Sequence, residues 1–287
     1  MLTNPVHQAV LSHLKNAVKS VLKENFIGAY VQGSLATGDS VASSDLDVVV
    51  VIKDDIPSES IGPLQQLHHK LYDELPSPWG QRLELSYVPL EIFRKRKMEP
   101  RDPPGEPRSN QWLDPSTQAP PQFYPFWYLD NGANQLVRSE HDNTQIVRWV
   151  VREKGIVLEG PDPKEIIDPV TKADLVNDLK NTFNMISDKW NTPESLHTVG
   201  MQTFFVTLCC RAQHCLQSGM IASKKVASEW AQQTLDAKYR DVIKDAYEHW
   251  LGDRASLFST PADPKAIQLT MALITETASA LSNAQKT

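Results

Sequence analysis

The sequence predicts an α+β protein in two parts: a mixed sheet with flanking helices over residues 1–158, then an all-α part over 159–287. Three observations predict this. Strand-like runs at Ile27–Val31, Asp45–Val51 and Arg82–Val88 lie in the first part and alternate with helical periodicity. From Thr171 onward only helical spacing is found. Between them, Gly155–Pro161 reads as a short strand entering a linker, which places the boundary near residue 159.

Asn4-Pro5 opens a helix to about Glu24, with Val10, Leu11, Leu14, Val18, Val21 and Leu22 along one side. Ile27–Val31 is the first strand, and Gly33 follows it. A glycine there lets the backbone turn with positive φ and lets amides approach a ligand closely. Ser34 adds a hydroxyl aimed at the same space, and Thr37–Ser40 supplies further turn chemistry. Next comes Asp45-Leu46-Asp47 running into four valines. Aspartate is disfavoured in strands, yet alternation puts both carboxylates on one face. At about 5 Å and an effective dielectric of ~20 their repulsion costs roughly 3 kcal/mol. A hard cation such as Mg²⁺ reverses that sign, and oxygen ligands suit it.

A second helix is expected over about Gly62–Leu75, stopped by Pro76-Ser77-Pro78. Arg82–Val88 alternates as a strand, with Leu83, Leu85 and Tyr87 on one face and Arg82, Glu84 and Ser86 on the other. Glu84, in the same sheet as Asp45 and Asp47, is the natural third carboxylate. Glu91–Pro125 reads as a long loop, with a basic cluster at Arg94–Lys97 and prolines crowding 100–125. The aromatic group of Trp112, Phe123, Tyr124, Phe126, Trp127 and Tyr128 is read as core cover. Helices follow at Asp142–Lys154 and then at about Thr171–Trp190, Thr198–Gln217, Ser223–Thr234, Asp236–Leu251 and Pro264–Ala284.

The chain's 287 residues carry ordinary apolar (40%) and charged (22%) content for a globular protein with real cores. A net charge of −6 disfavours nucleic acid as the main partner, which needs a basic face. Cys209, Cys210 and Cys215 fall within seven residues and read as reduced core residues rather than a disulfide framework. No signal segment and no membrane-spanning apolar run is found. A cytoplasmic monomer without membrane attachment is expected.

Gly33-Ser34, a ten-residue spacer and Asp45-Leu46-Asp47 resemble the signature of the nucleotidyltransferase superfamily that includes DNA polymerase beta. The second part narrows the resemblance. Gly155–Pro161, Asp168-Pro169-Val170, Leu208–Arg211, Ser218–Ala222 and Lys224–Trp230 are similar to the helical domain of aminoglycoside (streptomycin/spectinomycin) adenylyltransferases. The likeness runs from roughly Ile27 to Gly252, with the proline-rich stretch as an insertion.

The resemblance implies transfer of AMP from Mg²⁺·ATP to a hydroxyl of a small acceptor such as an aminoglycoside, with release of pyrophosphate. It implies Asp45, Asp47 and Glu84 as catalytic residues and metal ligands, with Glu84 as the proton acceptor. Gly33 and Ser34 would contact phosphates, and Arg211 and Lys224 would reach them from a helical domain that closes the nucleotide and acceptor cleft. One departure concerns the acceptor: the family places acids about ten positions before the matched arginine, and here His197–Gln202 holds none. Two other readings stay open. One is a non-catalytic, antitoxin-like domain that binds a protein partner; the other is nucleotide transfer to a macromolecule.

Overall fold

A computed structural model describes residues 4–42, 44–95, 125–252 and 254–284. The basic residues Arg96 and Lys97, and Trp112, Phe123 and Tyr124, lie outside the described residues. The chain forms two compact units, Met1–Thr37 with Ser44–Pro169, and Gly38–Ser43 with Val170–Thr287. The division thus falls at 169/170 rather than at 158/159, and a short piece of the first half joins the second unit.

The first unit opens with helix α1, Pro5–Leu22, whose N-cap Asn4 accepts from the Val6 amide at 2.9 Å. Strand β1 (Phe26–Val31) leads through a short helix α2 (Gly33–Thr37) to β2 (Leu46–Ile52). Helix α3 spans Ser58–Glu74 and contains Pro63. The helix was expected from about Gly62; it begins a turn earlier, after Pro57. Strand β3 (Leu83–Pro89) and helix α4 (Leu90–Arg94) follow.

Two strands had no counterpart in the sequence reading: β4 (Phe126–Leu129) and β5 (Leu136–Ser139), which pair antiparallel around an Asp130–Ala133 turn. Phe126, Trp127 and Tyr128 are buried on β4, so these three rings do cover the core. Helix α5 spans Gln145–Lys154, three residues later than the expected start at Asp142, because Thr144 is the N-cap. Strand β6 (Ile156–Glu159) and the short α6 (Pro163–Ile166) complete the unit. The short strand read within Gly155–Pro161 is thus present as β6, and its pairing with β1 makes it part of the sheet.

The mixed sheet has strand order β5-β4-β3-β2-β1-β6, with β2 and β3 parallel and every other pair antiparallel. Alternation explains the valine run. Val48, Val50 and Ile52 join α1 and α3 in one core, while Val49 and Val51 join Val88, Phe93 and Val151 in another. A strand covered on both faces reads as a continuous apolar run.

In the second unit the helices are α7 (Lys172–Lys189), α8 (Val199–Ser218), α9 (Lys224–Thr234), α10 (Arg240–Leu251), α11 (Arg254–Leu257) and α12 (Pro264–Asn283). Their starts follow side-chain caps. Thr171 forms a capping box with Asp174, and Thr198, Ser223 and Asp263 accept from first-turn amides. Gly219, at φ 73°, ends α8 in the left-handed conformation. The three cysteines are free and buried on α8. No helix of the described residues is long and apolar enough to cross a membrane.

Candidate active site

Parallel pairing of β2 with β3 sets Asp47 opposite Glu84, as direct partners in the ladder. Both point to the face that carries Val49, Val51 and Val88 in the next rungs. Asp45 sits one residue before β2, and its Oδ1 accepts from Asn131 Nδ2 at 2.8 Å. The three acids read from the sequence therefore gather at the N-terminal ends of the two central strands of the sheet. Like charges facing each other across a ladder are destabilising. Accordingly, burial first, and then the charges of Glu84, Asp45 and Asp142, push the Asp47 pKa well above the ordinary carboxylate value, while His141 draws it back.

Gly33 lies against this carboxylate. Its φ is +61°, and a Cβ built there would stand 1.8 Å from Asp47 Oδ2, so no side chain can replace the glycine without moving the aspartate. The Gln32 amide donates to the Asp47 carbonyl at 2.9 Å, which ties the turn to β2. Ser34 Oγ is buried with no hydrogen-bond partner among the described residues. A buried hydroxyl without a partner is unusual and calls for one; a phosphate oxygen would provide it. The donor set also fits Mg²⁺: oxygen ligands from Asp47, Glu84 and Asp45, close enough to repel one another and so to favour a hard cation.

Further polar groups that the sequence reading had not singled out for the site surround Glu84. His141 Nε2 lies 3.2 Å from Glu84 Oε1, and the Tyr128 ring stacks on His141 with centroids 5.2 Å apart. Ser86, two residues along β3, donates to Asp142 Oδ2 at 2.5 Å. The Tyr128 hydroxyl donates to Asp130 Oδ1 at 3.2 Å. Ligand atoms of Glu84, His141 and Asp142 all lie within 4.8 Å of one another. Burial lowers the His141 pKa, but its hydrogen bond to Glu84 and the charges of Asp142, Glu84 and Asp130 outweigh that and bring it to about 9. The imidazole is set among the acids. Its turn lies between β5 and α5; the one local signal for it is Thr144, a cap residue that ends the Glu140–Asn143 turn before the helix.

Arg211 and Lys224 lie in the second unit, on α8 and at the first position of α9. Arg211 Nε donates to the Ala222 carbonyl at 3.1 Å, linking the body of α8 to the residue before the N-cap of α9. The Lys224 amide donates to Asp39 Oδ2 at 2.7 Å, and its Nζ lies 5.0 Å from the centre of the Trp250 ring.

Residues 165–274 match the family model of the aminoglycoside adenylyltransferase C-terminal domain. The chain is 33% identical over 112 residues to an aminoglycoside (3'') (9) adenylyltransferase of Escherichia coli, covering 39% of this chain and 40% of that protein. With a spectinomycin 9-adenylyltransferase of Staphylococcus aureus it is 25% identical over 247 residues, 82% of either protein. The chain thus spans about 40% of the length of the first of these relatives and about four fifths of the second. The fold matches a solved spectinomycin adenyltransferase AAD(9) from Enterococcus faecialis, determined with ATP and spectinomycin. Its TM-score is 0.61 at 18% identity, covering 97% of this chain and all of that one. By sequence and by fold, then, the chain is similar to aminoglycoside and spectinomycin adenylyltransferases, as the motifs had implied.

Proposed function

We propose that this protein is a Mg²⁺-dependent nucleotidyltransferase that moves AMP from ATP to a hydroxyl of a small, antibiotic-like acceptor. The observation that carries the reading is the ladder pair Asp47–Glu84, flanked by Asp45 and laid against the side-chain-free backbone of Gly33. The names of the relatives, which are aminoglycoside and spectinomycin adenylyltransferases, support the acceptor class.

In this reading the acceptor oxygen bonds to the α-phosphorus of ATP, and the bond from that phosphorus to the bridging oxygen of pyrophosphate breaks. The proton of the acceptor hydroxyl passes to Glu84, which stands on β3 opposite Asp47. Asp45 and Asp47, with Glu84, would hold Mg²⁺, which would supply charge neutralisation for the phosphates. Gly33, lacking a side chain, lets the turn lie against the Asp47 carboxylate, and the Ser34 hydroxyl, without a partner among the described residues, is assigned to donate to a phosphate. Arg211 and Lys224 are assigned to the triphosphate on the resemblance, since guanidinium and ammonium groups suit phosphate recognition. The stretch from His197 to Gln202 is without a carboxylate, so the acceptor's positive charge is met by other groups than in the family.

The test is calorimetric titration of ATP with and without Mg²⁺, together with pyrophosphate release over a panel of spectinomycin, streptomycin and other aminoglycosides. Metal-dependent binding that Asp47→Asn abolishes, with release on at least one acceptor, is the expected result. ATP binding indifferent to both metal and Asp47 would overturn the reading.

A further inference from the structure

We propose that His141 is a positioning residue that aims Glu84 for proton transfer; this rests on the nucleotidyl-transfer reading above. The starting point is a problem built into the sheet. Glu84 must bring a carboxylate oxygen within about 2.6–3.2 Å of a hydroxyl, on a side chain with three rotatable bonds. Its ladder partner is the acid Asp47, and like charges in that relation push apart. Some group has to fix where the Glu84 carboxylate goes. His141 Nε2 meets Glu84 Oε1 at 3.2 Å, and the ring is itself fixed by the Tyr128 ring stacked on it at an interplanar angle of 27°.

The turn that carries His141 is anchored without it. Asp142, buried, takes the Ser86 hydroxyl at 2.5 Å. Arg148, fully buried, reaches Asn143 Oδ1 at 2.8 Å, the Thr144 carbonyl at 2.9 Å and the Phe93 carbonyl at 3.0 Å. These bonds hold the three residues that follow His141, from Asp142 to Thr144. The His141 side chain, by contrast, keeps 43% of its surface exposed, so the core does not depend on it. What it does is touch the proposed base. Losing such an outer partner costs about 10–100-fold in activity in other sites.

The experiment compares wild type, His141→Phe and His141→Gln, each also in a Glu84→Gln background. Phenylalanine keeps a ring for Tyr128 and removes the N–H; glutamine restores an N–H donor at a similar reach. His141→Phe is expected to lower kcat about 10–100-fold, with KM for ATP and the melting temperature little changed, and His141→Gln to recover most of the loss. In the Glu84→Gln background His141→Phe should have no further effect. In the metal-free protein, ¹H–¹⁵N spectra should show the His141 ring signal moving on Glu84→Ala. Wild-type kcat in His141→Phe, an equal loss in the Glu84→Gln background, or an unmoved ring signal would overturn this role while leaving nucleotidyl transfer in place. A wild-type protein that releases pyrophosphate with no acceptor in the panel would overturn both.

Discussion

In the first unit the proposed site residues share one end of the central strands of a sheet: a turn at Gly33-Ser34, the entry to β2 at Asp45 and Asp47, and Glu84 across the ladder. In the second unit Arg211 and Lys224 are tied to helix ends, one through the Ala222 carbonyl and the other through Asp39. Sequence likeness reaches both units, since the 25% identical match runs over 247 residues, but the family model is lopsided. The family model covers 165–274, almost all of it in the helical unit, whereas the acids lie outside it. The contrast teaches that the family model speaks for the helical unit, whereas the acids stand on the register of the sheet. The proposed chemistry needs few positions, and it needs them in one register.

Three experiments sharpen or break that contrast, starting with the largest effect. Glu84→Gln should keep Mg²⁺-dependent ATP binding by calorimetry and lose about 10²–10⁴ in kcat, the usual weight of a general base. Unchanged turnover would remove Glu84 from the chemistry and leave the first unit a binding platform. Arg211→Ala should act on binding instead, raising KM for ATP by an amount equivalent to about 1.5–3 kcal/mol, as expected for a hydrogen bond to a charged group. If steady-state kinetics show an unaltered KM, Arg211 is a helix-end brace and nothing more. The smallest effect is Asp39→Asn, which keeps an acceptor for the Lys224 amide but removes the charge at the start of α9. Urea unfolding should register a loss of about 0.3–1 kcal/mol, with turnover nearly untouched.

Much of this was legible before the structure. Val48–Ile52 and Leu83–Val88 are runs that only a buried sheet explains, and two aspartates entering such a run require a reason. The helices of the second unit could be read from spacing and from Thr171, Thr198, Ser223 and Asp263 as caps, and their observed ends lie close to the expected ones, α10 excepted. Helix α10 starts at Arg240 because a tighter turn over Ala237–Tyr239 precedes it.

What escaped was the β4–β5 hairpin and the polar groups it delivers. Phe126–Leu129 is only four residues long, buried throughout, and so shows no alternation to read. His141 and Asp142 reach Glu84 and Ser86 because the hairpin brings the chain back beside β3, a relation between residues more than fifty positions apart that no local spacing encodes.

The assignment of Gly38–Ser43 to the second unit bears on modular exchange. Grafting residues 170–287 onto a foreign first half would leave behind the carboxylate that receives the first amide of α9. The recipient would have to bring its own acid at the matching place in its spacer, so the two halves are heritable as a matched pair more readily than as interchangeable parts.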